Sequence, residues 1–427
     1  MINMILYIVH ILHVIRNYFI QLEVLLNKME NDKKLKICHV ITRMIVGGAQ
    51  ENTLLSVIGQ IENGHDVTLV TGPSPGPEGE LLKQSELMSK YDFKIIKTPH
   101  LVRIIDPIRD YLAYSYLKNF FVSNKFDIIH THSSKAGIIG RAAACAAKTT
   151  FIVHTIHGLA FHRYSNPLKN WVYKKFEWWA AKRCHKIFTV AQSMIDQCLD
   201  AGITRASKFK VVYSGMELEP FLNSTPDIDL RNELGIPEDS PVIGTVARLF
   251  PLKGYDYFIP TAALVVKQYP NVRFLIVGNG TLKEKLEKQI AKLGMKENFI
   301  FVGLISPSQI YRYISLMNML VHLSLREGLP RAVVQALASG KPAIGYELDG
   351  TPEVIIDGKT GYIVKPKEVS IVADSIVKLL KNPKMAERMG RNGRNLVKKK
   401  FDWKLMVNVL DKEYYDGVEE YKNMWNK

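Results

Sequence analysis

Cysteine is scarce in this chain and never paired. Of 427 residues only Cys38, Cys145, Cys184 and Cys198 are cysteine, and no two lie close together. That scatter argues against a zinc site and against a disulfide framework. It fits a reducing, cytoplasmic compartment. A G-x-G-x-x-G fingerprint is missing too, which removes support for nicotinamide-dinucleotide chemistry. The sequence offers no short-period repeat, no low-complexity tract and no motif or aromatic platform of the nucleic-acid-binding kind, so RNA and DNA are not expected partners. Long apolar runs are also few. Residues 1–15 carry no Asp, Glu, Lys or Arg, but Arg16 and Asn17 interrupt them, and His10 and His13 dilute them. A spanning helix needs about 20 mostly apolar residues, so a transmembrane reading is weak. No small-residue cleavage site follows, so a signal peptide is equally weak. Residues 1–30 then read as a helix lying on a membrane interface, or as sequence upstream of a true start at Met29.

What is present describes a globular protein, with 47% apolar and 23% charged residues. The length exceeds one ordinary core of about 100–200 residues, so two domains are expected. Lysine and arginine total 57 against 41 acids, a formal charge of +16. Such a surplus attracts anionic partners at long range. A phosphorylated substrate, an anionic membrane surface and nucleic acid all qualify on charge alone.

From Leu35 onward, short β-branched runs alternate with amphipathic segments, the pattern of parallel strands joined by helical crossovers. KICHVIT, HDVTLVT, FKIIKTP, FDIIHTH, FIVHTIHG, KIFTVAQ and FKVVYSG read as seven strands of a first domain. PVIGTVARL, VRFLIVGNG, NFIFVGL, MLVHLSL, KPAIGYEL and GYIVKP read as six strands of a second. The proline-containing stretch between Ser214 and Ser240 reads as the connection. The expected class is therefore α/β, two Rossmann-like domains facing across a cleft. The divisions are residues 31–215, residues 216–400, and a helix over 401–427 that packs back on the first domain. In open α/β sheets, ligands bind beyond the carboxyl ends of the strands, so function is sought in the loops that follow strands.

Gly47 and Gly48 follow the first strand and let a phosphate or sugar approach backbone N–H groups at a helix start; a plain tight turn explains them equally well. His157 and Gly158 end another strand, where an imidazole can bond a sugar hydroxyl or a leaving phosphate. His130 and His132 compete for that role, while His154 lies inside its strand and reads as packing. Arg248 and Lys253 stand five residues apart after the first strand of the second domain, with Gly254 starting a helix. Two fixed cations beside a helix N-terminus suit a diphosphate, although solvated charge is the usual fate of such residues. Glu327 sits in a strand-end loop followed by Gly328, Leu329 and Pro330, and a carboxylate beside exposed amides can grip sugar hydroxyls. Gln335 lies about two turns into the helix that follows. Gly350 and Thr351 are read as opening the next helix.

Taken together, GGAQ, HG at His157, VARLFPLKG, and REGLP…ALASGKP…DGTPEV…TGY resemble glycosyltransferase family 4, whose members have the GT-B fold. The resemblance runs from about Leu35 to the C-terminus. It implies a retaining transfer of a hexosyl or N-acetylhexosaminyl group from a UDP- or GDP-sugar, with no metal or other cofactor. It makes residues 31–215 the acceptor domain and residues 216–400 the donor domain. Arg248 and Lys253 match the pair that neutralises the donor diphosphate, and Glu327 the acid that contacts the donor sugar. The amides of Gly328, Leu329 and Pro330 match contacts to sugar and phosphate. Gly303 and Leu304 match the loop near the base, His157 a residue beside the reaction centre, and Gly48 the glycine loop. One departure stands out: the family's second acid, which binds the ribose hydroxyls, is replaced here by Gln335. An amide still accepts and donates, but without the charge-assisted bond, which is about twice as strong.

The segment NPLKNWVYKKFEWWAAKRCHK reads as a helix with Leu168, Val172, Phe176 and Trp179 at helical spacing toward the core. Lys174, Trp178 and Lys182 form a separate cationic stripe around an indole, suited to anionic headgroups or to plain solvent. With +16 and the N-terminal segment, this predicts peripheral attachment to the inner membrane face and a glycan or lipid-linked acceptor, as in capsule, lipopolysaccharide or exopolysaccharide synthesis. Two other readings stay open: a sugar-nucleotide epimerase on the same fold, and a catalytically weakened sugar-nucleotide-binding protein.

Overall fold

The computed structural model describes residues 33–75, 79–84 and 90–425. The apolar segment 1–30 lies outside the described residues. Seven parallel strands form the first sheet: β1 (Lys36–Ile41), β2 (Asp66–Thr71), β3 (Lys94–Lys97), β4 (Ile128–His132), β5 (Phe151–Ile156), β6 (Lys186–Thr189) and β7 (Phe209–Val211). Their order is β3-β2-β1-β4-β5-β6-β7. Six more parallel strands form the second: β8 (Val242–Val246), β9 (Arg273–Val277), β10 (Phe299–Gly303), β11 (Met319–His322), β12 (Ala343–Tyr346) and β13 (Gly361–Val364), ordered β10-β9-β8-β11-β12-β13. Helices cover both faces of each sheet, so the central strands are near-continuous apolar runs; Ile37, Cys38, Val40 and Ile41 of β1 are all fully buried.

Each sheet reverses its winding beside its first strand, between β1 and β4 and between β8 and β11. These switch points leave a crevice at the strands' carboxyl ends, where α/β ligands bind. The main helices of the first domain are α1 (Gly48–Glu62), α2 (Pro107–Asn124), α3 (Ser134–Ala146), α4 (Pro167–Ala181) and α5 (Gln192–Asp200). Those of the second are α6 (Tyr255–Val266), α7 (Lys283–Lys292), α8 (Arg331–Ala338), α9 (Val369–Lys381) and α10 (Pro383–Lys400). Local chemistry sets several starts. Asp106 accepts from the Arg109 amide ahead of Pro107, and Asn166 accepts from the Leu168 and Lys169 amides ahead of Pro167; both combine a side-chain cap with a proline whose missing N–H costs nothing there.

The final helix, α11 (Trp403–Trp425), returns to the first domain. Its Val407, Leu410, Tyr414 and Val418 share one core with Leu35, Ile37, Phe151 and Val153. The two domains also touch directly. The Glu353 carboxylate, from the second, accepts from the Gln192 and Ser193 amides at 2.9 and 3.0 Å, capping α5 of the first. Arg331 pairs with Glu51 at 2.6 Å.

Two local expectations are corrected. Helix α4 is present, but Leu168, Phe176 and Trp179 lie on its exposed side, and only Glu177, Ala180 and Ala181 are buried. The reason is Arg141 of α3, fully buried, whose guanidinium must be met by the Glu177 carboxylate at 2.8 Å. An unpaired buried charge costs more than exposing aromatic surface, so the acid and the small residues face inward. Gly350 and Thr351 open no α-helix; Thr351–Glu353 is a single 3-10 turn.

Candidate active site

The loop after β8 carries Arg248 and Lys253 and is held by the loop after β11, where the Leu325 amide and the Ser324 hydroxyl both donate to the Leu252 carbonyl. Gly254 ends the turn at φ 82, and a Cβ there would meet the Leu323 carbonyl oxygen at 2.0 Å. Only glycine fits so close an approach in the left-handed region. The result sets Lys253 Nζ 2.5 Å from Glu327 Oε1, although the residues are 74 apart in sequence. His322, at the end of β11, places Nε2 3.3 Å from the same oxygen. The Glu327 amide donates to Asp349 Oδ2 at 2.7 Å, which fixes the loop's backbone. Burial would raise the Glu327 carboxyl, but the Lys253 charge and the His322 contact outweigh it and hold the group well below the ordinary carboxylate range. Glu327 is therefore an anion at neutral pH.

Opposite, the strand-end loop after β5 presents His157. Gly328 lies against it, and a Cβ on Gly328 would sit 2.3 Å from the His157 carbonyl oxygen. Arg326 donates to the Leu159 carbonyl across the same gap. Burial pushes the His157 imidazole down to about 3, with the Arg331 charge adding to the effect, so the ring is neutral. Behind it, His157 Nε2 meets His132 Nδ1 at 3.0 Å.

Between the domains lies a cavity of about 710 Å³, within the range of small-molecule sites. Gly48, His157, Arg248, Lys253, Leu304, Glu327, Gly328, Leu329 and Pro330 all line it. Of the residues matched to donor contacts, Gly303 and Gln335 do not. Gly303 precedes Leu304 at φ 83 without reaching the wall. Gln335 faces an adjoining cavity of about 160 Å³, together with Glu51, Ser306 and Pro307. Arg331 lines both spaces. Several wall residues carried no clear signal in the sequence: Arg43 and Arg103 from the first domain, Arg331 and His322 from the second. Arg331 directly follows Pro330 at a helix start, and His322 ends a strand; those positions are the signals that could have marked them. His130 and His132 are fully buried and do not reach the cavity. Chemically, the site offers fixed cations, the Glu327 carboxylate and the neutral His157 imidazole around a space built by two domains. Such a set suits an anionic leaving group bonded to a polyhydroxylated ring.

Comparison with known proteins agrees with this geometry. Residues 227–396 match the family described as glycosyl transferases group 1, and residues 46–220 match glycosyltransferase family 4. The chain is 28% identical to a UDP-Gal:alpha-D-GlcNAc-diphosphoundecaprenol alpha-1,3-galactosyltransferase of Escherichia coli, over 90% of this chain and 98% of that protein. It is 25% identical to the capsular polysaccharide biosynthesis glycosyltransferase CapM of Staphylococcus aureus, over 91% and 99%. Its fold is similar to that of Anabaena HepE, solved with UDP and glucose, with a TM-score of 0.75, 20% identity, and coverage of 89% and 99%.

Proposed function

This chain belongs to the family-4 glycosyltransferases, and from that premise we propose that it is a retaining enzyme moving a hexosyl or N-acetylhexosaminyl group from a UDP- or GDP-sugar to a lipid-linked glycan in cell-surface polysaccharide synthesis. The observation that carries this reading is the convergence of Arg248, Lys253, Glu327 and His157 on one cavity between the domains. Arg248 and Lys253 meet the donor diphosphate and Glu327 takes donor-sugar hydroxyls; Gln335, which faces the adjoining cavity, is given no donor contact. As the bond from sugar C1 to the diphosphate breaks, negative charge grows on the leaving group beside two cations already in place. The acceptor oxygen bonds to C1 on the same face, and its proton passes to a departing phosphate oxygen. This assigns the leaving-group charge to side chains rather than to a metal ion. The E. coli relative's name supports a UDP-sugar and an α-linked product, which is retention if the donor sugar is α-configured.

A membrane-borne acceptor is supported by the surface of the first domain. Helices α2, α3 and α4 pack side by side. Ile105 and Ile108 near the start of α2 are 77% and 74% exposed, and Leu168 and Trp171 of α4 are 70% and 58% exposed. Trp171, Phe176, Trp178 and Trp179 line an open apolar groove with Lys175, and Lys182 Nζ lies 3.5 Å from the centre of the Trp178 ring. Aromatic rings interleaved with cations suit an anionic bilayer interface. Among the described residues no helix is long and apolar enough to cross a membrane; the attachment proposed is peripheral, on the cytoplasmic face.

The test is a transfer assay with labelled UDP- and GDP-sugars and a polyprenyl-diphosphate-linked sugar in anionic vesicles. The reading expects label in the lipid fraction only when acceptor is present. Donor consumed without acceptor would support an epimerase instead. Donor bound but never consumed would support a binding protein.

A further inference from the structure

Behind His157 runs an unbroken line of buried polar contacts that the transfer mechanism does not use. His157 Nε2 meets His132 Nδ1 at 3.0 Å, His132 Nε2 meets His39 Nδ1 at 2.9 Å, and His39 Nε2 meets Gln60 Oε1 at 2.7 Å. His39, His132 and Gln60 are all fully buried. A parallel branch starts at His130, whose Nδ1 bonds the Tyr414 hydroxyl and whose Nε2 lies 2.7 Å from Thr155 Oγ1. His39, His130 and His132 are close enough to hold a metal ion between them. All six of their ring nitrogens, however, already have hydrogen-bond partners. A metal would have to displace those bonds, so the cluster is better read as a hydrogen-bonded relay.

A neutral imidazole has one N–H and one lone pair. Three neutral rings in series must therefore all point the same way, and the polarity at one end fixes the polarity at the other. With Gln60 Oε1 as the acceptor at the root, His39 donates from Nε2, His132 donates to His39 from Nε2, and His157 donates to His132 from Nε2. Nδ1 of His157 is left as a lone pair. The fixed charges at the two ends favour this direction. The Arg331 cation lines the cavity with His157 and favours a lone pair there. The Asp411 carboxylate acts on His39 at the far end and favours N–H groups pointing toward it. Burial keeps His39, His132 and His157 neutral, well below the ordinary histidine range, which is what a one-way relay requires.

We infer that Gln60, His39 and His132 are positioning residues that lock His157 in its Nε2–H tautomer, so that its Nδ1 accepts a hydrogen bond from a substrate hydroxyl in the cavity. The identification of that hydroxyl as a sugar's rests on the proposed transfer reaction; the tautomer does not. The test is nitrogen NMR of the full chain labelled at histidine, with the His157 signals identified by their loss in His157→Gln. The wild-type ring should show an unprotonated Nδ1 and a protonated Nε2. In Gln60→Met, which keeps the side-chain shape but removes the amide, a second population with protonated Nδ1 should appear. Donor kcat/KM should fall about tenfold, the worth of one well-placed hydrogen bond. If that variant does not fold, His39→Phe cuts the relay at its next ring, and the wild-type spectrum still decides. A protonated Nδ1 in the wild type, an unchanged tautomer in the folded variants, or stoichiometric metal in the purified protein would overturn the inference. Because the spectrum needs no substrate, it can hold even if the transfer reading fails.

Discussion

At the scale of single residues, the site is a set of charges and rings whose protonation states the fold holds over a wider pH range than water would. Glu327 is kept ionised by Lys253 and His322, whereas His39 and His157 are kept neutral, pushed down by burial to about 4 and about 3. The sign of the pH dependence follows. In the unfolded chain these two rings protonate near pH 6.5, while in the fold they stay neutral until about 4 and 3. Between pH 6.5 and 4 the unfolded state therefore binds more protons, and stability falls as pH falls. Each such ring contributes about 1.4 kcal/mol per pH unit in that window. Glu327 acts in the same direction at lower pH: its contribution is full above the ordinary carboxylate range and is lost as pH drops below it. Urea unfolding at pH 7, 6 and 5 should show a steady loss of stability; a flat profile would mean that the rings are not held neutral. Of these residues, Glu327, Arg248, Lys253 and His157 stood out in the sequence because each lies in a loop that follows a strand. Arg43 and Arg103 lie in loops as well, but no neighbouring motif marked them. His132 was singled out only as a rival of His157, and its link to His39 and Gln60 was not legible, because a polar residue within a strand or a helix carries no local mark of the partner it will meet.

At the scale of elements, strand positions were legible and helix faces were not. All thirteen strands among the described residues lie where apolar, β-branched runs marked them, since burial on both faces leaves a continuous signature. Helix α4 shows the limit of periodicity. Its spacing predicts Leu168, Val172, Phe176 and Trp179 inward, but Arg141 on α3 requires Glu177, and that requirement comes from a neighbouring element. The consequence can be measured. Glu177→Ala leaves the guanidinium buried without its counter-charge, still donating to the Gly137 carbonyl, and should cost about 3–5 kcal/mol of unfolding free energy. Phe176→Ser on the same helix should cost little, because that side chain is already 52% exposed. Equal losses in the two variants would contradict the orientation described.

At the scale of the whole molecule, two sheets of the same winding meet so that their carboxyl ends enclose one space. The sequence announced the two repeats of architecture, but it could not announce their mutual fit. That fit depends on contacts between residues far apart in the chain: Glu51 with Arg331, Glu353 with the start of α5, and Gly328 against the His157 carbonyl. Helix α11 ties the C-terminus back to the first domain through Tyr414 and its neighbours, so the chain crosses between domains twice. The central claim is that this enclosed space holds a pyrophosphate-linked sugar by its charge, with Arg248 as one of the fixed cations. Turnover of the preferred sugar nucleotide by Arg248→Ala, compared with the wild type under saturating acceptor, tests it most directly. The account predicts a loss of about 10²–10³-fold in kcat, the cost of removing one preorganised stabiliser of developing charge, in a variant that unfolds like the wild type. Turnover within a few-fold of the wild type would contradict it.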